Sequence, residues 1–203
     1  VWGFSSVLGG VLQSLPPTGF DRDLYGTLQG ARTPWADNIM IRLTHLADLT
    51  VVGALATLVT LWLALRRRWI ACAHWLGAVA FALAIPWVLK GALAIPRPTA
   101  ISAVLSDYAF PSGHTTRAIT LFGFLAVLTA RDFSLNWRWL PYTVALVLAF
   151  GVAASRLYLG AHWLPAVLGG LTLGPIWVTV LGVGSRRRDP TNGKASPLRH
   201  PPL

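Results

Sequence analysis

The chain has 203 residues, 54% of them hydrophobic and only 12% charged, and its 17 Lys and Arg against 7 acidic residues give a formal charge of +10. Soluble domains carry about a quarter charged residues, so composition argues against an ordinary soluble domain, while the length suits a single one. A nucleic-acid binder is also disfavoured, because the basic residues fall in short loops between apolar runs and in the C-terminal tail, which is the pattern of membrane topology.

Residues 2–15 are apolar but short for a span of about 20 residues, so they read either as the end of a truncated transmembrane helix or as an interfacial helix. The chain starts at Val1 rather than Met, which leaves an upstream segment open. Residues 16–47 carry Asp21, Arg22, Asp23, Arg32, Asp37 and Arg42 and read as a loop with short amphipathic helices lying on the membrane. Residues 49–65 form a spanning segment closed by Arg66-Arg67-Arg68. The next, 69–89, holds the single cysteine, Cys72, which excludes an intrachain disulfide. Pro86 is expected to break that segment near its end, and Lys90 to stop it.

A proline-punctuated loop, 91–112, leads to a span over 115–130 that ends at Arg131-Asp132. Residues 140–155 return, and 156–162 make a tight turn containing Gly160. Residues 163–183 make the last crossing, with Pro165 tolerated in the first turn. The fold class expected is all-α, a polytopic transmembrane bundle of about six helices, five of them clear and the sixth dependent on the N-terminal segment. Its membrane domain covers 1–184, and 185–203 form a disordered basic tail. Ten tryptophans, many at the ends of apolar runs, fit an interfacial belt.

The arginine clusters Arg66–Arg68, Arg131 with Arg138, and Arg186–Arg188 all fall on one side of such a bundle, which the positive-inside rule makes cytoplasmic. Lys90, Arg97, His114, Arg156 and His162 therefore fall on the opposite edge and need another reason to be there. They form three clusters: Lys90 with Arg97-Pro98, Pro111-Ser112-Gly113-His114, and Ser155-Arg156 followed by His162. Singly, each has a duller role: Lys90 or Arg97 snorkelling to the interface, Arg156 capping helical carbonyls, His162 sitting in the interface. Together they have the composition of a phosphate pocket, because guanidinium groups bind phosphate oxygens bidentately and a helix start such as Ser112-Gly113-His114 attracts anions.

Lys90-x6-Arg97-Pro98, Pro111-Ser112-Gly113-His114 and Ser155-Arg156-x5-His162 resemble the three-part signature of the type-2 phosphatidic acid phosphatase superfamily. The resemblance implies a membrane lipid phosphatase that needs no metal or other cofactor. His162 would be the nucleophile that forms a phosphohistidine, and His114 would protonate the leaving oxygen and then activate water. Lys90, Arg97 and Arg156 would hold the phosphoryl oxygens, helped by Ser112 and the Gly113 amide. Fixed cations can catalyse phosphoryl transfer in this way, since the reaction depends mainly on positioning and charge stabilisation.

One position departs from the family pattern. The family has an aspartate four residues after the nucleophilic histidine, hydrogen-bonded to it, and here that residue is Ala166. Loss of such an orienting carboxylate costs about four orders of magnitude in the comparable serine-protease case, so impaired turnover is expected. Three readings stay open: an engineered change, a natural variant that uses Asp107 or Asp48 instead, or a member that binds lipid phosphates without turning them over. The expected location is the bacterial inner membrane with the site facing the periplasm or outside. The expected partners are a lipid phosphate or pyrophosphate substrate and membrane lipids, with no nucleic acid. The competing functions are a weakly active lipid-phosphate-binding or transport protein and a lipid phosphotransferase.

Overall fold

The computed structural model describes residues 2–13, 18–98 and 108–186, and among these it contains eight α-helices and no strand. They are α1 (Trp2–Gln13), α2 (Gly19–Gly30), α3 (Pro34–His45), α4 (Leu49–Leu65), α5 (Trp69–Leu93), α6 (Gly113–Thr129), α7 (Trp139–Tyr158) and α8 (Leu164–Arg186). The amphipathic helices expected in the polar N-terminal region are α2 and α3. A capping box starts α2: the Asp21 amide donates to Thr18 Oγ1, and the Thr18 amide donates back to the Asp21 carboxylate. Pro34 starts α3, where a missing N–H costs nothing.

Among the described residues, α5 and the stretch Leu135–Tyr158 are each long and apolar enough to cross a membrane. The pair α3 and α4, bent by 42°, qualifies together as a third. The five segments expected to span, 49–65, 69–89, 115–130, 140–155 and 163–183, are present as α4 to α8. Helices α4 and α6 have 17 residues each, about 25 Å, which falls short of a hydrocarbon core of about 30 Å. The first turns of α6, from Gly113 to Arg117, carry His114, Thr115, Thr116 and Arg117 and belong to the candidate site.

Pro86 does not break α5. The helix runs through it to Leu93 and ends at Ala94 in the left-handed conformation. Buried Pro86 packs beside the start of α6, where a side chain on Gly113 would meet its Cβ at 3.8 Å. Helical prolines are tolerated in membrane bundles when neighbouring elements pack around the interrupted turn. Helix α8 continues to Arg186, past the expected domain end at 184, and the remaining tail lies outside the described residues.

Helix α6 is central, packed on α5, α7 and α8 and buried on every side. At one end, Val52, Leu63, Trp75, Leu121 and Phe124 join α4, α5 and α6 in an apolar core. At the other end, Ala47, Ala118, Ala149 and Val152 fix the α3–α4 junction to α6 and α7. Glycines let α8 lie close to α6. A Cβ on Gly170 would stand 2.9 Å from the Ser112 carbonyl, and one on Gly174 would stand 2.3 Å from Ile119.

Candidate functional site

The three expected clusters meet at a single end of the bundle. The segment after α5, carrying Arg97, pairs with the segment before α6 through the Ala109 amide, which donates to the Ile95 carbonyl at 2.7 Å. The turn between α7 and α8 closes on both. Arg97 Nη1 donates to the Ala161 carbonyl at 2.8 Å and points at His162 Nε2 from 3.3 Å. Trp163 Nε1 donates to the Pro96 carbonyl. Gly160, at φ +69°, makes this turn possible, because few other residues adopt that conformation without strain.

His162 is 3% exposed. Its Nδ1 lies 2.7 Å from the Ala109 carbonyl. A carbonyl only accepts, so Nδ1 carries the proton and Nε2 keeps a lone pair facing Arg97. Burial above all, then the positive charges of Arg156, Arg97 and Lys90, hold this imidazole well below its ordinary value of 6.5, against the Ala109 hydrogen bond. The ring is therefore neutral near pH 7, with its Nε2 lone pair accepting from Arg97 among three cations that are distant in the sequence.

Arg156, in the last turn of α7, is 8% exposed and donates to Thr44 Oγ1 at 2.8 Å. Lys90, in the last turn of α5, is half-buried and borders an open groove with Trp87, Val88 and Gly91. Ser112 is fully buried. Its hydroxyl caps α6 by accepting from the Thr115 amide at 3.5 Å and also accepts from the Thr115 hydroxyl at 3.0 Å, and its own amide donates to the Ala166 carbonyl at 2.9 Å. That amide is therefore already engaged. Gly113 and His114, one step further on, are partly exposed at the helix start.

His114 Nε2 lies 2.8 Å from Asp48 Oδ1, and His114 Nδ1 lies 3.1 Å from Arg117 Nη2. Asp48 was a sequence candidate for orienting the nucleophile, yet its contact is with the other histidine. Asp107, the second candidate, lies outside the described residues. Ala166 packs in an apolar cluster with Ile95, Ala109 and Phe110. Sequence reasoning missed Arg117, Thr44 and the Ala109 carbonyl. Arg117 had a readable signal, a charge one turn after His114 inside an apolar segment, but Thr44 and a backbone carbonyl had none.

The sequence profile of the PAP2 superfamily matches residues 73–188, more than half of the chain. The chain is 28% identical over 151 residues to the phosphatidylglycerophosphatase B of Bacillus subtilis, covering 70% of this chain and 72% of that protein. It is 37% identical over 92 residues to an undecaprenyl-diphosphatase of Sulfolobus acidocaldarius, covering 43% of this chain and 35% of that one. The fold matches the crystal structure of a transmembrane PAP2-type phosphatidylglycerolphosphate phosphatase from Bacillus subtilis, with a TM-score of 0.75 and 23% identity, over 92% of this chain and 94% of that one. It also matches Aquifex aeolicus LpxE, with a TM-score of 0.62 and 20% identity, over 82% of this chain and 97% of that one.

Proposed function

This chain belongs to the PAP2 superfamily, and on that premise we propose that it is a metal-independent membrane phosphatase that hydrolyses a lipid phosphate or pyrophosphate through a phosphohistidine. The observation that carries the reading is the placement of His162: buried, with Nδ1–H on the Ala109 carbonyl and the Nε2 lone pair held by the Arg97 guanidinium, which a phosphoryl group would draw onto its own oxygens. In the first step Nε2 attacks phosphorus and the bond to the lipid oxygen breaks. Burial above all, then the charges of Arg156 and Arg117, hold the His114 pKa down to about 4 against Asp48. His114 must therefore take up a proton at Nδ1 as substrate binds, and it then gives that proton to the leaving oxygen. Neutral His114 then takes a proton from water, which attacks phosphorus, and inorganic phosphate leaves as the P–N bond breaks. Lys90, Arg97 and Arg156, with the Gly113 amide and the α6 start, hold the phosphoryl oxygens; Ser112 shapes that start as its cap.

Turnover is slower than with an aspartate at 166. The Ala109 carbonyl fixes the tautomer of His162 but carries no charge to stabilise the imidazolium that forms. The substrate classes follow from the relatives, one a phosphatidylglycerophosphatase and one an undecaprenyl-diphosphatase. The site faces outward from a bacterial cytoplasmic membrane. Support comes from Arg66–Arg68, which join α4 to α5 one helix length from Asp48 and Lys90.

The test is phosphate release by the detergent-solubilised chain from phosphatidic acid, phosphatidylglycerol phosphate, undecaprenyl diphosphate and lipid A, with acid-labile phosphohistidine trapped alongside. His162→Ala is expected to abolish the trapped species and lower turnover on the order of 10^6-fold, the size of a lost covalent nucleophile. Unchanged turnover in that variant would remove His162 from the role. Binding without release would leave a lipid-phosphate-binding protein, and transfer to an added alcohol without free phosphate would mark a phosphotransferase.

A further inference from the structure

We propose that Asp48 is the positioning carboxylate of this site, acting on His114 from the α3–α4 junction while position 166 supplies none. This rests on the phosphatase reading above. The geometry is specific. Arg117 is a donor only, so His114 Nδ1 must accept from it, and the ring proton therefore sits on Nε2, aimed at Asp48 Oδ1. That leaves Nδ1 as the working nitrogen, with Arg117 on its lone pair until a phosphate draws the guanidinium away.

Asp48 is not a loose surface group. Its amide donates to the His45 carbonyl at 3.1 Å and its carbonyl accepts from Val52 at 2.8 Å. Neighbouring Ala47 is 1% exposed in the core with Ala118 and Val152. The second carboxylate oxygen takes the ring of His45, whose side chain is 59% exposed. The charged groups facing His114 are thus Asp48 from the α3–α4 junction, Arg117 from its own helix and Arg156 from α7, with His45 behind Asp48. Of these Asp48 is the one anion. It selects the tautomer and stabilises the imidazolium that must be present when the leaving oxygen needs a proton.

The experiment separates this role from a structural one through the leaving group. Wild type, Asp48→Asn and Asp48→Ala are compared on the alkyl phosphates named above and on 4-nitrophenyl phosphate, whose leaving group needs no proton. The alanine variant is expected to lose about 100-fold in kcat on the alkyl phosphates, the lower end of a general-acid contribution. Its nitrophenolate burst should stay within about threefold of wild type, because that burst reports phosphohistidine formation without acid assistance. Asp48→Asn keeps an acceptor for Nε2–H but not the charge. Its kcat should fall less, and its kcat/KM profile should lose activity on the alkaline side at lower pH, because uncompensated His114 gives up its proton sooner. Equal losses on both substrate types, or no loss on either, would overturn the proposal. If the wild type yields no phosphoenzyme from any substrate, the phosphatase reading falls first and this inference with it. If it does and the variants behave alike, only the role of Asp48 falls.

Discussion

His162 is buried in a short turn and takes its orientation from a neutral carbonyl, whereas His114 sits at a partly exposed helix start between a carboxylate and a guanidinium. The two regions also differ in what supports them. The turn of His162 is tied to Pro96, Ala109 and Arg97, and α2 backs it through Gln29, which donates to the Tyr158 carbonyl, and Tyr25, whose ring lies 5.7 Å from that of Trp163. The region of His114 rests on the α3–α4 junction and the apolar core beneath it. In the proposed mechanism the nucleophile needs a neutral nitrogen with a lone pair, which burial among cations favours. An acid that must hold and release a proton needs a negative partner and access to water. One bundle end supplies both environments because the two histidines come from different helix ends.

The strongest way to break this pairing is to separate the two regions. Gly170→Ala would put a methyl group 2.9 Å from the Ser112 carbonyl and from Thr115, between the starts of α6 and α8. Overpacking of this kind costs about 1–3 kcal/mol, and a displacement of about 1 Å at a reacting centre costs about 100-fold. The expected result is a kcat lowered about 100-fold with a smaller change in KM, measured beside the thermal midpoint of the solubilised protein.

A smaller effect sharpens the contrast. Ala166→Asp would give His162 the charge it lacks. Because Ala109 already fixes the tautomer, the gain should be about tenfold in kcat, the difference between a charged and a neutral hydrogen bond, and not four orders of magnitude. The carboxylate would be buried against Ile95, Ala109 and Phe110, so a lower thermal midpoint should accompany the gain. A 10^4-fold gain would show that the carbonyl does not hold the ring. The smallest effect on chemistry is expected from the far end. Leu63→Ala, fully buried beside Trp75 and Phe124, should cost about 2–5 kcal/mol of stability and leave kcat within about twofold.

Much of the molecule was legible in order along the chain. Apolar runs and arginine stops marked α4 to α8 to within a few residues, and Thr18 and Pro34 stand at the starts of α2 and α3. The three short motifs identified the residues that gather at the site. The reading failed where local rules met packing. Pro86 was expected to break α5 and Lys90 to stop it, but Pro86 packs beside Gly113 at the start of α6 and the helix continues to Leu93. Helix α6 begins at Gly113, two residues before the expected 115, because the polar cap at Ser112 starts the helix ahead of the apolar run.

Residue type, spacing and hydropathy by themselves determined an all-helical membrane protein with cations and two imidazoles at one edge, because those properties depend on near neighbours in the chain. The partners of the site residues were decided only by the tertiary structure. Ala109 with His162, Asp48 with His114 and Thr44 with Arg156 are 53, 66 and 112 residues apart. The carbonyl that selects the tautomer of His162 belongs to the backbone, which is chemically the same at every residue, so only folding could assign it that task.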